Sequence, residues 1–351
     1  MIYINARFLT QPITGVQRFA IELCRSLKRS SYADRIQLVC PPNVLHTEIA
    51  KELQALPVGS RSGHLWEQLD LPVFLKSRGN PVLVNLANAA PLLYNRNIVT
   101  IHDLSVYQSS KWFSFTYRSF YKAVTPVIVS KALKVVTVSN SIKKELVDRL
   151  NLREDKVEVI YNGISELFLS GVPAENNKEN YILTVSSIDP RKNILSLVRA
   201  FIKADVKDHD LYIIGGKAAV FSGSGLEREV MGRSDIKLLG RVSDEELLRL
   251  YSRAKLFVYL SLYEGFGIPN VEAMAMGVPV LTSNISSIKE VCSDAVSYVD
   301  PLDVDEASNE IKRLVGSTHA QKELSVLGLE RSKLFRWEYA GEKMLKLLFH
   351  E

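Results

Sequence analysis

The chain has 351 residues, 46% of them apolar and 24% charged, which suits two domains of about 150–200 residues each. No uninterrupted apolar run reaches the roughly 18 residues a membrane-crossing helix needs, and Met1 to Arg7 reads as a strand and not as an export signal, so a cytoplasmic protein is expected. Residues 1–165 carry 21 Lys/Arg against 12 Asp/Glu while residues 166–351 carry 23 against 27, a division that suits anionic headgroups or a phosphate-bearing acceptor, or is only surface scatter.

No basic tract interleaved with aromatics points to nucleic acid. Three widely spaced cysteines, Cys24, Cys40 and Cys292, read as buried thiols with no metal-ligand spacing.

In chain order, apolar runs predict strands at Ile2–Asn5, Ile36–Cys40, Val82–Asn85, Ile98–His102, Val135–Ser139 and Val157–Tyr161. Amphipathic spacing predicts helices at Val16–Arg29, Phe115–Lys131 and Ser141–Leu150. The polar stretch Glu166–Asn180, with Gly171 and Pro173, reads as a linker. A second alternation follows. Strands are predicted at Tyr181–Ser186, Leu211–Gly215, Ile236–Leu239, Lys255–Leu260, Val278–Thr282 and Val296–Val299. Between them fall helices at Asn193–Lys203, Asp244–Arg253, Pro269–Met276, Ser287–Cys292 and Asp303–Val315. Two such alternations imply an α/β protein of two doubly wound domains with parallel sheets, whose ligands bind at the carboxyl ends of the strands.

Candidate site residues stand at those ends. Glu264 and Glu272 flank a loop holding Gly265, Phe266, Gly267, Ile268, Pro269 and Asn270. Glycines allow close backbone approach, and Pro269 suits a first helical turn. The free amides of a helix start suit a diphosphate, and a carboxylate on each side suits hydroxyls. The turn Asp189–Asn193 adds Arg191 and Lys192, donors matched to phosphate oxygens. His102 and Asp103 end an apolar strand, and Gly15 opens the first helix. Trp66 and Glu67 mix an aromatic with polar groups, as a sugar-binding wall or as ordinary helix packing. The Asp208/Asp210 pair precedes its strand and Asp303/Asp305 reads as a helix cap, so no metal site is assigned. Gly223 and Gly225 are too short a pattern for a dinucleotide fingerprint.

Glu264 and Glu272 at their spacing, with Pro190–Asn193, Leu239–Arg241, Gly215–Gly216 and Tyr161–Gly163, resemble the GT-B-fold retaining glycosyltransferases of family 4. The similarity is greatest to the bacterial branch that builds O-antigen, capsule and exopolysaccharide. The resemblance implies two Rossmann-like domains facing across a cleft. Residues 1–165 would bind acceptor, 166–334 would bind donor, and a final helix, 335–351, would return to the first domain.

The resemblance further implies that Glu264 binds donor sugar hydroxyls and Glu272 the ribose. Arg191 and Lys192 would hold the diphosphate with the amides of Gly15 and Phe266–Ile268, while His102 meets the sugar and Arg241 and Val242 border the base. Relatives often carry Gly-Arg where Ser186 and Ser187 stand here, which leaves Arg191 to supply that charge. No cofactor or metal is implied. The donor is a nucleotide-sugar, GDP-mannose before dTDP- or UDP-sugars. The acceptor is a glycan or an undecaprenyl-diphosphate-linked oligosaccharide, reached from the cytoplasmic face of the inner membrane by peripheral attachment. A sugar-nucleotide epimerase of the same fold and a catalytically silent carbohydrate-binding subunit are the alternatives. The Arg-Lys turn and the intact glutamate pair argue against both.

Overall fold

The computed structural model describes residues 1–169, 178–216 and 225–349. Gly171 and Pro173 of the expected linker, and Gly223, lie outside the described residues. The chain divides into two compact units, Met1–Gly163 with Arg336–Glu351, and Ile164–Phe335.

In the first unit seven strands, β1 (Ile2–Asn5), β2 (Ile36–Cys40), β3 (Leu56–Pro57), β4 (Val82–Asn85), β5 (Asn97–Thr100), β6 (Lys134–Thr137) and β7 (Val157–Val159), form a parallel sheet in the order β3-β2-β1-β4-β5-β6-β7. Strands such as β1 and β5 are buried along their whole length. That burial explains why they read as continuous apolar runs without alternation. The two-residue edge strand β3 is too short to leave a sequence signal.

The second unit holds β8 (Tyr181–Val185), β9 (Asp210–Ile214), β10 (Ile236–Gly240), β11 (Leu256–Tyr259), β12 (Val280–Ser283) and β13 (Ser297–Val299), again all parallel, in the order β10-β9-β8-β11-β12-β13. Its core is closed by the helices Ile194–Ala204 and Val304–Gly316, whose Leu197, Val198, Phe201, Ile311 and Leu314 pack against Leu211, Ile213, Leu256 and Val258 of the sheet. Each sheet reverses its strand order once, between β1 and β4 and between β8 and β11. At such a switch point adjacent connections leave on opposite faces and open a crevice.

Several helices go beyond the predicted elements, among them Thr47–Glu52, Leu226–Val230 and Glu166–Leu169, the last at the start of the expected linker. Gly63–Ser77 is one continuous helical run with a π turn over Trp66–Asp70, and Thr318–Ser332 packs on the helix Ile268–Ala275 through Gly328. A Cβ at Gly328 would stand 3.2 Å from the Met274 side chain. The last helix, Trp337–Phe349, belongs to the first unit and lies on the first helix, Gly15–Lys28.

Candidate active site

The switch point of the second unit gathers the densest set of charged candidates. Pro190–Lys192 forms a single 3-10 turn after β8, capped by Asp189, whose carboxylate accepts the Arg191 amide at 2.8 Å. Asn193 then adopts φ 55 and ties its amide to the Pro301 carbonyl at 2.7 Å. This closes the turn and starts the helix Ile194–Ala204. The effect is to aim Lys192 at the end of β11. Its Nζ donates to Glu264 Oε1 at 2.6 Å and to the Tyr259 hydroxyl at 2.7 Å.

Glu264 is held from several sides. Oε1 also accepts the Tyr259 hydroxyl at 2.8 Å and Ser261 Oγ at 2.5 Å, and Oε2 lies 3.6 Å from Arg191 Nη1. Arg191 spends that nitrogen on the Tyr263 carbonyl at 3.1 Å as well. Burial alone would raise the Glu264 carboxyl, but Lys192 and Arg191 outweigh it and hold the group down at about 2. The carboxylate is therefore charged at neutral pH and rigidly oriented.

Glu264 leads into the helix start. Gly267 precedes the helix Ile268–Ala275 with φ +87, a left-handed value closed to most side chains, and a Cβ there would stand 3.1 Å from Asn270 Nδ2. Gly265 has no positive φ, so of the two loop glycines only Gly267 needs its conformational freedom. Asn270 is fully buried and neither amide atom has a hydrogen-bond partner among the described residues. Phe266 is buried edge-on against Phe335 at 5.5 Å, leaving its backbone as the part suited to a ligand. Glu272, one turn further, accepts the Tyr251 hydroxyl at 3.1 Å. At the end of β9, Gly215 (φ +111) lies so close to the Ser186 carbonyl that a Cβ would stand 2.3 Å away. This explains the Gly215–Gly216 pair as a packing requirement. Arg241, exposed, and Val242 follow β10 directly.

Asp210 pairs with Lys237 at 2.5 Å, and Asp303 caps its helix by accepting the amides of Asp305 and Glu306. Both have structural occupations.

In the first unit the switch point carries a buried polar chain of which the sequence marks only Glu67. Asn5 donates to Glu67 Oε1 at 2.8 Å and to Asn85 at 3.0 Å, and Asn85 donates to Asn97 at 3.0 Å. Arg7 Nε reaches Glu67 Oε1 at 3.1 Å, and His64 Nδ1 lies 3.4 Å from Oε2. Burial opposes the charge on Glu67, yet His64, Arg7 and Asn5 together keep its carboxyl below the usual range. Asn5, Arg7, Gln11 and Glu67 line a small cavity with Leu86, Ala87 and Ala89. Asn5, Asn85 and Asn97 at strand positions are the available sequence signal, since amides are rare inside apolar strands.

Trp66 is corrected. Its side chain is wholly buried in the core with Tyr3, Leu71 and Leu83, and its indole N–H is donated to the Val58 carbonyl at 2.7 Å, so it cannot form a sugar-binding wall. His102 lies two residues beyond β5, buried, with Nε2 2.9 Å from the Leu86 carbonyl and its ring edge-on to Phe19 at 4.7 Å. Burial lowers its pKa against the smaller opposing pulls of Leu86 and Asp103, so the imidazole is neutral and Nε2 carries the proton it donates. Asp103 accepts the Ser105 amide at 2.9 Å. Gly15 opens its helix with no heavy atom within 4 Å of where a Cβ would stand, leaving that helix start uncrowded.

Comparison with known proteins agrees with this architecture. Residues 13–166 match the family described as Glycosyltransferase Family 4, and residues 168–326 match Glycosyl transferases group 1. The chain is 26% identical to O-antigen chain mannosyltransferase B of Escherichia coli, over 93% of each chain. It is 28% identical to O-antigen chain mannosyltransferase RfbU of Salmonella typhimurium, over 89% of this chain and 90% of that protein. Among solved structures, Anabaena HepE in complex with UDP has a TM-score of 0.76 at 17% identity over 99% of this chain and 98% of that one. WaaG, a glycosyltransferase involved in lipopolysaccharide biosynthesis, has a TM-score of 0.75 at 14% identity over the whole of both chains. The two family matches, which together run from residue 13 to 326 over two parallel-sheet units, place this chain among the GT-B-fold glycosyltransferases of family 4.

Proposed function

We propose that the chain is a retaining, metal-independent hexosyltransferase that moves mannose from GDP-mannose to a glycan or an undecaprenyl-diphosphate-linked acceptor in surface polysaccharide synthesis, working at the cytoplasmic face of the inner membrane. The observation that carries this reading is the Lys192–Glu264–Arg191 cluster at the switch point beside the start of the helix Ile268–Ala275. Glu264 would accept donor sugar hydroxyls and Glu272 those of the ribose. Lys192, Arg191 and the amides of Phe266–Ile268 would meet the diphosphate, with Arg241 and Val242 beside the base, while Gly15 and His102 are the first unit's own candidates for substrate.

The chemistry follows from charge. Breaking the anomeric C–O bond leaves a nucleoside diphosphate and an oxocarbenium-like sugar. Fixed cations and amides stabilise the departing oxygen without reorganising, often the largest catalytic contribution. The acceptor hydroxyl then attacks from the same face, and its proton goes to the leaving phosphate. The mannosyltransferase relatives support the choice of sugar, and the sugar-donor structures of the same fold support a nucleotide-sugar.

The test is a panel of GDP-, dTDP- and UDP-sugars scored by thermal shift, followed by turnover with a lipid-linked acceptor in EDTA. Protection by GDP-mannose and undiminished transfer in EDTA are expected. Complete loss on chelation with rescue by Mn²⁺ would overturn metal independence. A new nucleotide-sugar formed without acceptor would instead identify an epimerase.

A further inference from the structure

Glu67 is only 1% exposed, and the fold treats its two carboxylate oxygens unequally. Oε1 accepts Asn5 Nδ2 at 2.8 Å and Arg7 Nε at 3.1 Å, whereas Oε2 has no hydrogen-bond partner among the described residues. His64 Nδ1 stands 3.4 Å from Oε2, near enough to attract it but outside the about 2.7–3.2 Å of an N–H···O bond. A buried carboxylate oxygen without a donor is costly, and such a group in a folded chain calls for an explanation. The local backbone is unusual as well. Glu67 sits in the π turn over Trp66–Asp70, an irregularity found mostly where a helix serves a site.

Glu67 is also one wall of a small cavity. Asn5 and Arg7 after β1, Gln11, and Leu86 after β4 form other walls, with room for about one water-sized group. Among the described residues the Arg7 side chain makes one hydrogen bond, through Nε, so both its Nη groups remain for a ligand. Gln11 accepts Gln17 Nε2 through Oε1 at 2.8 Å and keeps its own amide nitrogen. Leu86 accepts His102 Nε2 at 2.9 Å, which sets the cavity wall against that buried imidazole.

Charge and bonding pattern select the occupant. The charges of Glu67 and Arg7 cancel, so the pair attracts neither sign of ion as a whole. A phosphate here would meet the bare oxygen of Glu67, and an ammonium would meet Arg7. A hydroxyl suits both, because it donates to a carboxylate and accepts from a guanidinium at once.

We propose that Glu67 and Arg7 form a subsite for one hydroxyl of a neutral sugar, so that the first unit reads the glycan part of a ligand here and not a phosphate. That this sugar belongs to the acceptor rests on the function proposed above, while the subsite itself does not. The experiment is saturation-transfer NMR of the full chain, titrated with the methyl glycosides of mannose, glucose and galactose. Monodeoxy derivatives of the glycoside that binds best follow. Removal of one particular hydroxyl lowers affinity for the wild type about tenfold or more. Asn5 and Arg7 hold an oxygen at the Oε1 position, so Glu67→Gln places its amide NH₂ at the Oε2 position, where an acceptor is needed. That variant weakens the parent glycoside by a similar factor and leaves the deoxy analogue unchanged. Such non-additivity is not produced by a residue that serves the fold alone. If Glu67→Gln does not melt cooperatively, Ala87→Leu replaces it. Ala87 is half-buried in the cavity wall, and a larger side chain there excludes the glycoside while leaving the polar groups in place. Unchanged affinity in the folded variant, no hydroxyl singled out, or no glycoside signal with the wild type overturns the proposal and leaves a water as the occupant. Displacement of the glycoside by inorganic phosphate overturns it too. Thermal protection by GDP-mannose is expected in wild type and Glu67→Gln alike. Its absence beside Glu67-dependent glycoside binding sinks the transferase reading alone, and its presence beside glycoside binding indifferent to Glu67 sinks the subsite alone.

Discussion

Glu264 is a buried carboxylate with three close donors, and its worth lies in that company. Removing one member of a buried ion pair leaves the other uncompensated, which is costly even where the intact pair is close to neutral. Glu264→Gln keeps the shape and the Ser261 contact but discards the charge facing Lys192. Steady-state transfer by Glu264→Gln and by Lys192→Ala is expected to fall by two orders of magnitude or more, in line with a lost electrostatic stabiliser at about 3 kcal/mol, while circular dichroism is unchanged. Wild-type rates from either folded variant would remove both from the site. At this cluster Tyr259 and Ser261 are the residues that the sequence did not mark. The Tyr259 hydroxyl receives Lys192 and donates to Glu264, so Tyr259→Phe leaves both partners in place and frees their relative position. A lowered kcat with donor protection retained is expected for a positioning role; loss of donor protection would make it a binding residue. The pH dependence has a definite sign. Glu264 is held at about 2 in the folded chain against 4.5 otherwise, so its contribution to stability is complete above about 4.5 and is lost as pH falls toward 2. Thermal melts of wild type and Glu264→Gln across that window should converge at the acid end, and a constant gap would mean the carboxyl is not depressed.

At the scale of elements, the helix Ile268–Ala275 depends on one glycine. With φ +87 at Gly267, a Gly267→Ala variant adds left-handed strain of about 1–2 kcal/mol and presses on Asn270 at 3.1 Å. A lower melting temperature together with weaker protection by nucleotide-sugar is expected, because the same distortion moves the amides of the first turn. Unchanged protection would separate that helix start from the ligand. This loop was legible because glycine, proline and carboxylates at fixed offsets have few other uses. The parallel strands were legible for a related reason, being buried on both faces and hence uninterrupted apolar runs. What stayed hidden was relational. Trp66 looks the same in a sequence whether it lines a groove or fills a core, and only its packing with Tyr3 and Leu71 decides. The Asn5–Asn85–Asn97 chain crosses from β1 to β4 over 80 residues of sequence, so no spacing rule could assemble it. The π turn over Trp66–Asp70 and the short β3 leave no period long enough to detect.

For the whole molecule, the return of the C-terminal helix means that residues 336–349 stabilise the unit that begins at Met1, not the unit they follow. The contact is close. Gly341 faces Ser26 so tightly that a Cβ would stand 2.2 Å from its hydroxyl, Trp337 packs edge-on to Phe19 at 5.8 Å, and Phe349 stacks on Tyr32 at 4.5 Å with Arg35 above it. Gly163, at the other crossing, leaves no room for a Cβ beside the Trp337 backbone at 2.4 Å. A branched residue at position 341 must therefore push the two helices apart, and overpacking of this kind costs about 1–3 kcal/mol. Gly341→Val is expected to lower the unfolding temperature of the first unit by roughly 2–4 °C for each kcal/mol lost. The second unit shares none of these contacts, so its transition is expected to stay in place, and the proposed donor site predicts that nucleotide-sugar raises it. Differential scanning calorimetry with and without nucleotide-sugar distinguishes the outcomes. A shifted transition that the ligand does not move, beside an unshifted one that it does, is the expected pattern. A single transition in which Gly341→Val and the ligand act on the same unfolding event would mean that the two units melt as one, and that the final helix braces more of the molecule than the sheet it rests on.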